Sequence, residues 1–95
     1  MTDEAIQTIE KRNRTHGDFV EQAQVSQNLK NVLVLGEKWS DLTDPEREAL
    51  EMICVKLSRI VSGDPHEPDH WLDISGYSEL GRREALKANI VGREE

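Results

Sequence analysis

Four side chains, Lys56, Arg59, His70 and Asp73, have the types and the spacing to act together. If the segments on either side of Asp64 and Pro65 are helices that pair antiparallel, the register sets Lys56 opposite Asp73 and Arg59 opposite His70, with Met52 opposite Tyr77 and Glu48 near Gly81. A carboxylate between two cations reads first as a structural ion pair, because Asp73 would be costly to bury alone and a partly buried pair fixes register more than it stabilises. Other donors are less well placed. His66 and His70, with Asp64 and Asp69, are ligand types for zinc, yet Pro68 between the histidines keeps them off one regular helical face. Cys54 falls on an apolar face, where cysteine is a small core filler rather than a nucleophile. His16 before Gly17 reads as a turn residue within reach of a ligand. Tyr77 and Trp71 have faces that could stack on a base, but aromatics at helical spacing are more often core, and no Gly-rich phosphate-cradling loop occurs.

The elements that must position these residues are helices. Residues 2–14 carry a thin stripe of Ala5, Ile6 and Ile9 behind a Thr2 or Asp3 cap, and Gly17 then breaks the run. Asp18, with Glu21 three residues on, caps a second helix reaching Leu33 or Leu35, whose periodic positions are Phe19, Ala23, Ser26, Leu29, Val32 and Leu33. Val32 to Leu35 is β-branched enough for a strand but has no partner strand, and Gly36 is the natural stop. Trp39 is expected to fold back from the following loop as a lid on the core. Thr43 or Asp44, Pro45 and Glu46 form a strong start signal for a third helix. At helical spacing Ala49, Leu50, Ile53, Cys54, Leu57, Ile60 and Val61 fall in one arc of about 140°, while Glu48, Glu51, Lys56, Ser58 and Arg59 lie opposite. Met52 and Val55 sit among those charges, so another helix or subunit should cover the Glu48, Met52 and Val55 side. Gly63 ends the helix, and Pro68 opens a last one running to about residue 87, where Gly76 and Gly81 point to close approach by a neighbouring helix. The tail 89–95 is expected to fray.

Composition bounds the rest. A chain of 95 residues reads as one domain, residues 1–95, with a core over about 5–87 that is small at 36% apolar residues. Twelve basic against 19 acidic residues, net charge -7 and no basic block, argue against a direct duplex nucleic-acid ligand. One cysteine, no long apolar run and an N-terminus lacking the order of a signal peptide suit a cytoplasmic protein that does not enter a membrane.

Four blocks carry a resemblance: His-Gly-Asp-Phe at His16 to Phe19; Arg-Glu-Ala-Leu-Glu-Met-Ile from Arg47, followed by Lys56 and Arg59; Gly-Asp-Pro from Gly63; and Asp-His-Trp-Leu-Asp-Ile-Ser-Gly-Tyr from Asp69. Over roughly residues 8–82 the chain resembles a family of small bacteriophage and prophage proteins of unknown function, which implies the cytoplasm of a bacterial host. More distantly it looks like the all-α MazG-type nucleoside triphosphate pyrophosphohydrolases, which hold magnesium with Glu-x-x-Glu on one helix and Glu-x-x-Asp on the next. The resemblance implies Glu48, Glu51 and Asp73 as Mg2+ ligands. His70 stands where the remaining Glu belongs, and an imidazole is a poor magnesium ligand. Lys56 and Arg59 put positive charge where the ion would act and could instead hold a phosphate chain, beside His70, as charge-assisted donors.

The expected fold is all-α, an antiparallel bundle of three main helices plus a short N-terminal one, assembled as a homo-oligomer. The expected function is nucleotide binding, and at most metal-dependent pyrophosphohydrolysis, at a degenerate site. The alternative is a non-enzymatic interaction module that binds or inhibits a host protein, in which the same charges only knit the hairpin.

Overall fold

A computed structural model describes residues 2–94, and among these there are four α-helices, one 3₁₀ turn and no strand. Helix α1 spans Asp3–His16, α2 Phe19–Leu33, α3 Asp44–Ser62 and α4 Pro68–Glu94, with the 3₁₀ turn at Trp39–Asp41 headed by a half-buried Trp39. The start signals behave as their chemistry dictates. The Thr2, Asp18 and Thr43 side chains accept from the backbone N–H groups of Ala5, Glu21 and Glu46, and Glu46 reaches back to the Thr43 N–H at 2.8 Å to complete a capping box. Residues 32–35 close α2 and lead into a turn rather than forming a strand. Helix α4 runs past the expected stop near residue 87 as far as Glu94, since neither Asn89 nor Gly92 is followed by a proline. Glu95, at the end of the tail expected to fray, lies outside the described residues.

Helix α3 is the centre. Both α2 and α4 pack along it, α2 and α4 scarcely meet, and α1 touches α2 and α3 only lightly. The helix buries Ala49 and Ile60, and the Ala49 Cβ lies 3.6 Å from where a Cβ on Gly81 of α4 would stand, the close approach expected of that glycine. Gly76 has open space instead, so no neighbour among the described residues explains it.

The α2 interface departs from the hydropathy pattern. Ser58, assigned to the solvent arc, is fully buried, and it accepts a 2.8 Å hydrogen bond from Gln22 Nε2 while donating to the Val55 carbonyl. Gln22 and Ser26 form the buried face of α2, whereas Phe19 and Val32, assigned to that face, are exposed. Leu57 and Val61, assigned to the core, are exposed as well. Small polar side chains let α2 and α3 approach closely, so the face is set by fit and by the Gln22–Ser58 bond rather than by side-chain hydropathy.

The α1–α2 and α3–α4 turns meet at one end of the molecule. Thr15 O accepts from Asp64 N at 3.0 Å, and the backbones cross so tightly that a Cβ on Gly17 would stand 1.9 Å from Ser62 O and one on Gly63 2.4 Å from Thr15 O. Gly17 also sits at φ 82, in the left-handed region.

Candidate functional site

Beside that crossing lies an open cleft of ≈ 530 Å³ lined by Thr15, His16, Lys56, Arg59, Glu67, Asp69, His70 and Asp73. The last residues of α1, one side of α3, Glu67 in the α3–α4 turn and the first turns of α4 supply it. The four residues singled out by antiparallel register are thus brought together. Lys56 Nζ is 2.9 Å from Asp73 Oδ2, with the Lys56 side chain only 12% exposed, so the expected pair is formed. Its hydrogen bond and positive charge hold the Asp73 carboxyl below its usual range.

His70, 3% exposed, donates from Nε2 to the Thr15 carbonyl at 3.0 Å, which ties the start of α4 to the end of α1. Its ring lies 5.2 Å from that of His16, tilted by 48°, and His16 Nδ1 accepts a 3.4 Å bond from Arg12 Nε. Arg59 is half-buried, and its Nε is enclosed without any partner. Burial first, then the nearby Arg12 charge, lowers the Arg59 guanidinium below its ordinary range. Burial, followed by the charges of Arg59, His70, Arg12 and Lys56, lowers His16 to about 4.

That shift has a definite consequence for stability. The unfolded chain takes up a proton on His16 near the ordinary value and the folded chain only near 4, so between those values the unfolded state binds more protons. Stability contributed by neutral His16 is complete above about pH 7 and falls as the pH drops from about 6.5 toward 4. The loss is at most about 3 kcal/mol, reduced by solvent screening at this partly exposed ring. Melting curves of the parent and of His16→Asn across this range should diverge at the acid end. Parallel curves would show that His16 does not carry the effect.

The magnesium ligands implied by the resemblance are not assembled. Glu48 is exposed and Glu51 half-buried, and neither lines the cleft. Glu51 acts instead on Cys54, whose thiol is raised by burial and further by that carboxylate. Asp73 is bonded to Lys56, and among the described residues no three His, Cys, Asp or Glu side chains are grouped to hold a metal ion. Thr15 and Glu67 line the cleft without any local signal in the sequence to mark them, and Arg12 acts on it through its bond to His16.

A family model described as a domain of unknown function, DUF6378, matches residues 1–85. The chain belongs to that family. The match takes in every residue that lines the cleft, with all of α3, the first eighteen residues of α4 and the α1 residues that close it. No curated protein and no solved structure matches the chain. Among the described residues no helix is long and apolar enough to cross a membrane.

Proposed function

We propose that the cleft binds a phosphate-bearing ligand, with a nucleotide as the first candidate, through its own cationic side chains rather than through a metal ion. The observation that supports this reading is Arg59: a half-buried guanidinium beside Arg12, with an orphaned Nε, opening on a cleft lined also by Lys56, His16 and His70 and by the carboxylates Glu67, Asp69 and the Lys56-bound Asp73. Among the described residues neither Arg59 nor Arg12 is paired with a carboxylate, whereas Lys56 is committed to Asp73. Two unpaired cations held together cost free energy that an anion would recover, and guanidinium forks suit phosphate oxygens. The resemblance to small phage proteins and, more distantly, to MazG-type hydrolases belongs to the same proposal and is the reason nucleotides come before other phosphates. The proposal stops at binding, because Glu48 and Glu51, the carboxylates the resemblance implies for hydrolysis, lie outside the cleft lining. A second reading, a non-enzymatic interaction module, draws support from the exposed apolar side chains Leu57, Val61, Trp71 and Leu72.

The test is thermal unfolding followed by Trp39 and Trp71 fluorescence with inorganic pyrophosphate, nucleoside triphosphates and mononucleotides, each with magnesium and with chelator. A ligand at about a hundred times its dissociation constant adds about 2.7 kcal/mol, and each kcal/mol moves the midpoint of so small a domain by roughly 4 to 8 °C. The expected rise survives chelation and the Glu51→Gln substitution and disappears in Arg59→Gln. That variant alone should be as stable as the parent or more so, because it removes a desolvated charge beside Arg12. A flat response across the panel sinks the reading. So does a rise that needs metal and is lost in Glu51→Gln, which would restore the carboxylate site.

A further inference from the structure

On the opposite side of the α3/α4 hairpin from the cleft runs an apolar band that the described residues leave largely uncovered. Its upper half is a groove of ≈ 330 Å³ lined chiefly by Leu42, Ala49, Leu50, Ile53, Tyr77 and Ala85, with Glu46 and Arg82 at the rim. By helical spacing Leu57 and Val61 continue the α3 side of this groove and Trp71 and Ile74 its α4 side. These are not marginal exposures, for Val61 is 68% and Trp71 57% exposed.

We infer that this face is the contact between two copies of the chain, packed across a two-fold axis into a bundle that covers both α3 helices. Area argues for it. The chain exposes 6983 Å², whereas a compact chain of this size exposes roughly 5,500 Å², an excess of roughly 1,500 Å². A standard interface covers about 800 Å² per partner, so one self-contact accounts for much of that excess with area of the apolar kind. Shape agrees: the radius of gyration is 16.3 Å against about 12.4 Å for a compact domain of this length. Among the described residues only Ala49, Cys54 and Ile60 are buried apolar residues, which is a thin core for a chain folding alone. A second copy also meets the electrostatic condition. Net charge -7 opposes self-association in general, but the groove rim carries one acid and one base, and the inference places the contact where acidic charge is sparse. The Glu48, Met52 and Val55 side, expected from the sequence to be the oligomer face, offers less, because its two apolar residues are both half-buried, whereas the band adds the exposed Leu57, Val61 and Trp71 to its half-buried groove.

The experiment is light scattering coupled to size exclusion, with far-UV circular dichroism as the folding control. The parent should elute at twice the chain mass at micromolar concentration. Leu57→Arg and Val61→Glu, both at exposed positions, should elute at the chain mass with unchanged helical signal. Val55→Lys, on the other side of α3, should remain dimeric if it folds. A monomeric parent overturns the inference, whatever other protein binds this face. A dimer that persists in both Leu57→Arg and Val61→Glu overturns it as well.

Discussion

Gly17→Ala is expected to destabilise the fold by about 3 to 5 kcal/mol, a large share of the 5 to 15 kcal/mol that holds a typical domain together. Two costs combine. An alanine at φ 82 is strained by roughly 1 to 2 kcal/mol, and its Cβ would stand 1.9 Å from the Ser62 carbonyl oxygen, which is backbone and cannot rotate away. The turns must part, and Thr15 O then loses Asp64 N–H and His70 Nε2–H together. Urea unfolding read by Trp39 and Trp71 measures the loss. Gly76→Ala is the matched control: a Cβ there meets nothing within 4 Å, and mid-helix alanine should add about 0.5 to 1 kcal/mol. If Gly17→Ala unfolds at the parent's urea midpoint, the backbone crossing is not as tight as described.

His70→Ala is expected to cost about 2 to 3 kcal/mol, more than an average substitution, because a 3%-exposed ring and its bond to Thr15 O are both lost. His70→Gln can still reach that carbonyl with an amide donor and should recover part of it. A second readout separates this role from simple cavity formation. His70 is one of the groups that hold His16 down, and its removal also opens the His16 ring to water, so the His16 titration should move from about 4 back toward its ordinary value in His70→Ala. Proton NMR of the imidazole follows it directly. A His16 midpoint unmoved by His70→Ala would mean that the two rings do not share an environment.

Much of this arrangement was legible because its signals are local. Thr43, Pro45 and Glu46 start α3 by chemistry confined to one turn, and Asp18 does the same for α2. Lys56 opposite Asp73 followed from the position of one turn and the helical rise, and needed no knowledge of the rest of the chain. What was misread depends on distant partners. Ser58 looks like a solvent residue until Gln22, 36 positions away, supplies its donor, and Phe19 looks like core but stays exposed while Gln22 and Ser26, on its own face of α2, are buried. Leu57 and Val61 count as core by periodicity, but α4 and α2 occupy the flanks of α3 and leave the strip between them open. His16, read as a turn residue, ends α1 and lines the cleft, and Arg12 bonds to it. No local pattern announces that. The one trace in the sequence is the pair Gly17 and Gly63, whose meaning as facing halves of one contact emerges only when the turns are seen together.

The crossing at Gly17 and Gly63 also has a bearing on the order in which the chain assembles. Helices α3 and α4 are neighbours in sequence and can pair after closing only a short connection, whereas joining the first turn to the second encloses more than forty residues and carries a larger loop-closure cost. The hairpin is therefore the natural nucleus, with α1 docking after it. Substitutions at the crossing should then act chiefly by hastening unfolding and leave the folding rate nearly unchanged, so the end of the molecule that completes the cleft is also the part whose loss sets the lifetime of the folded state.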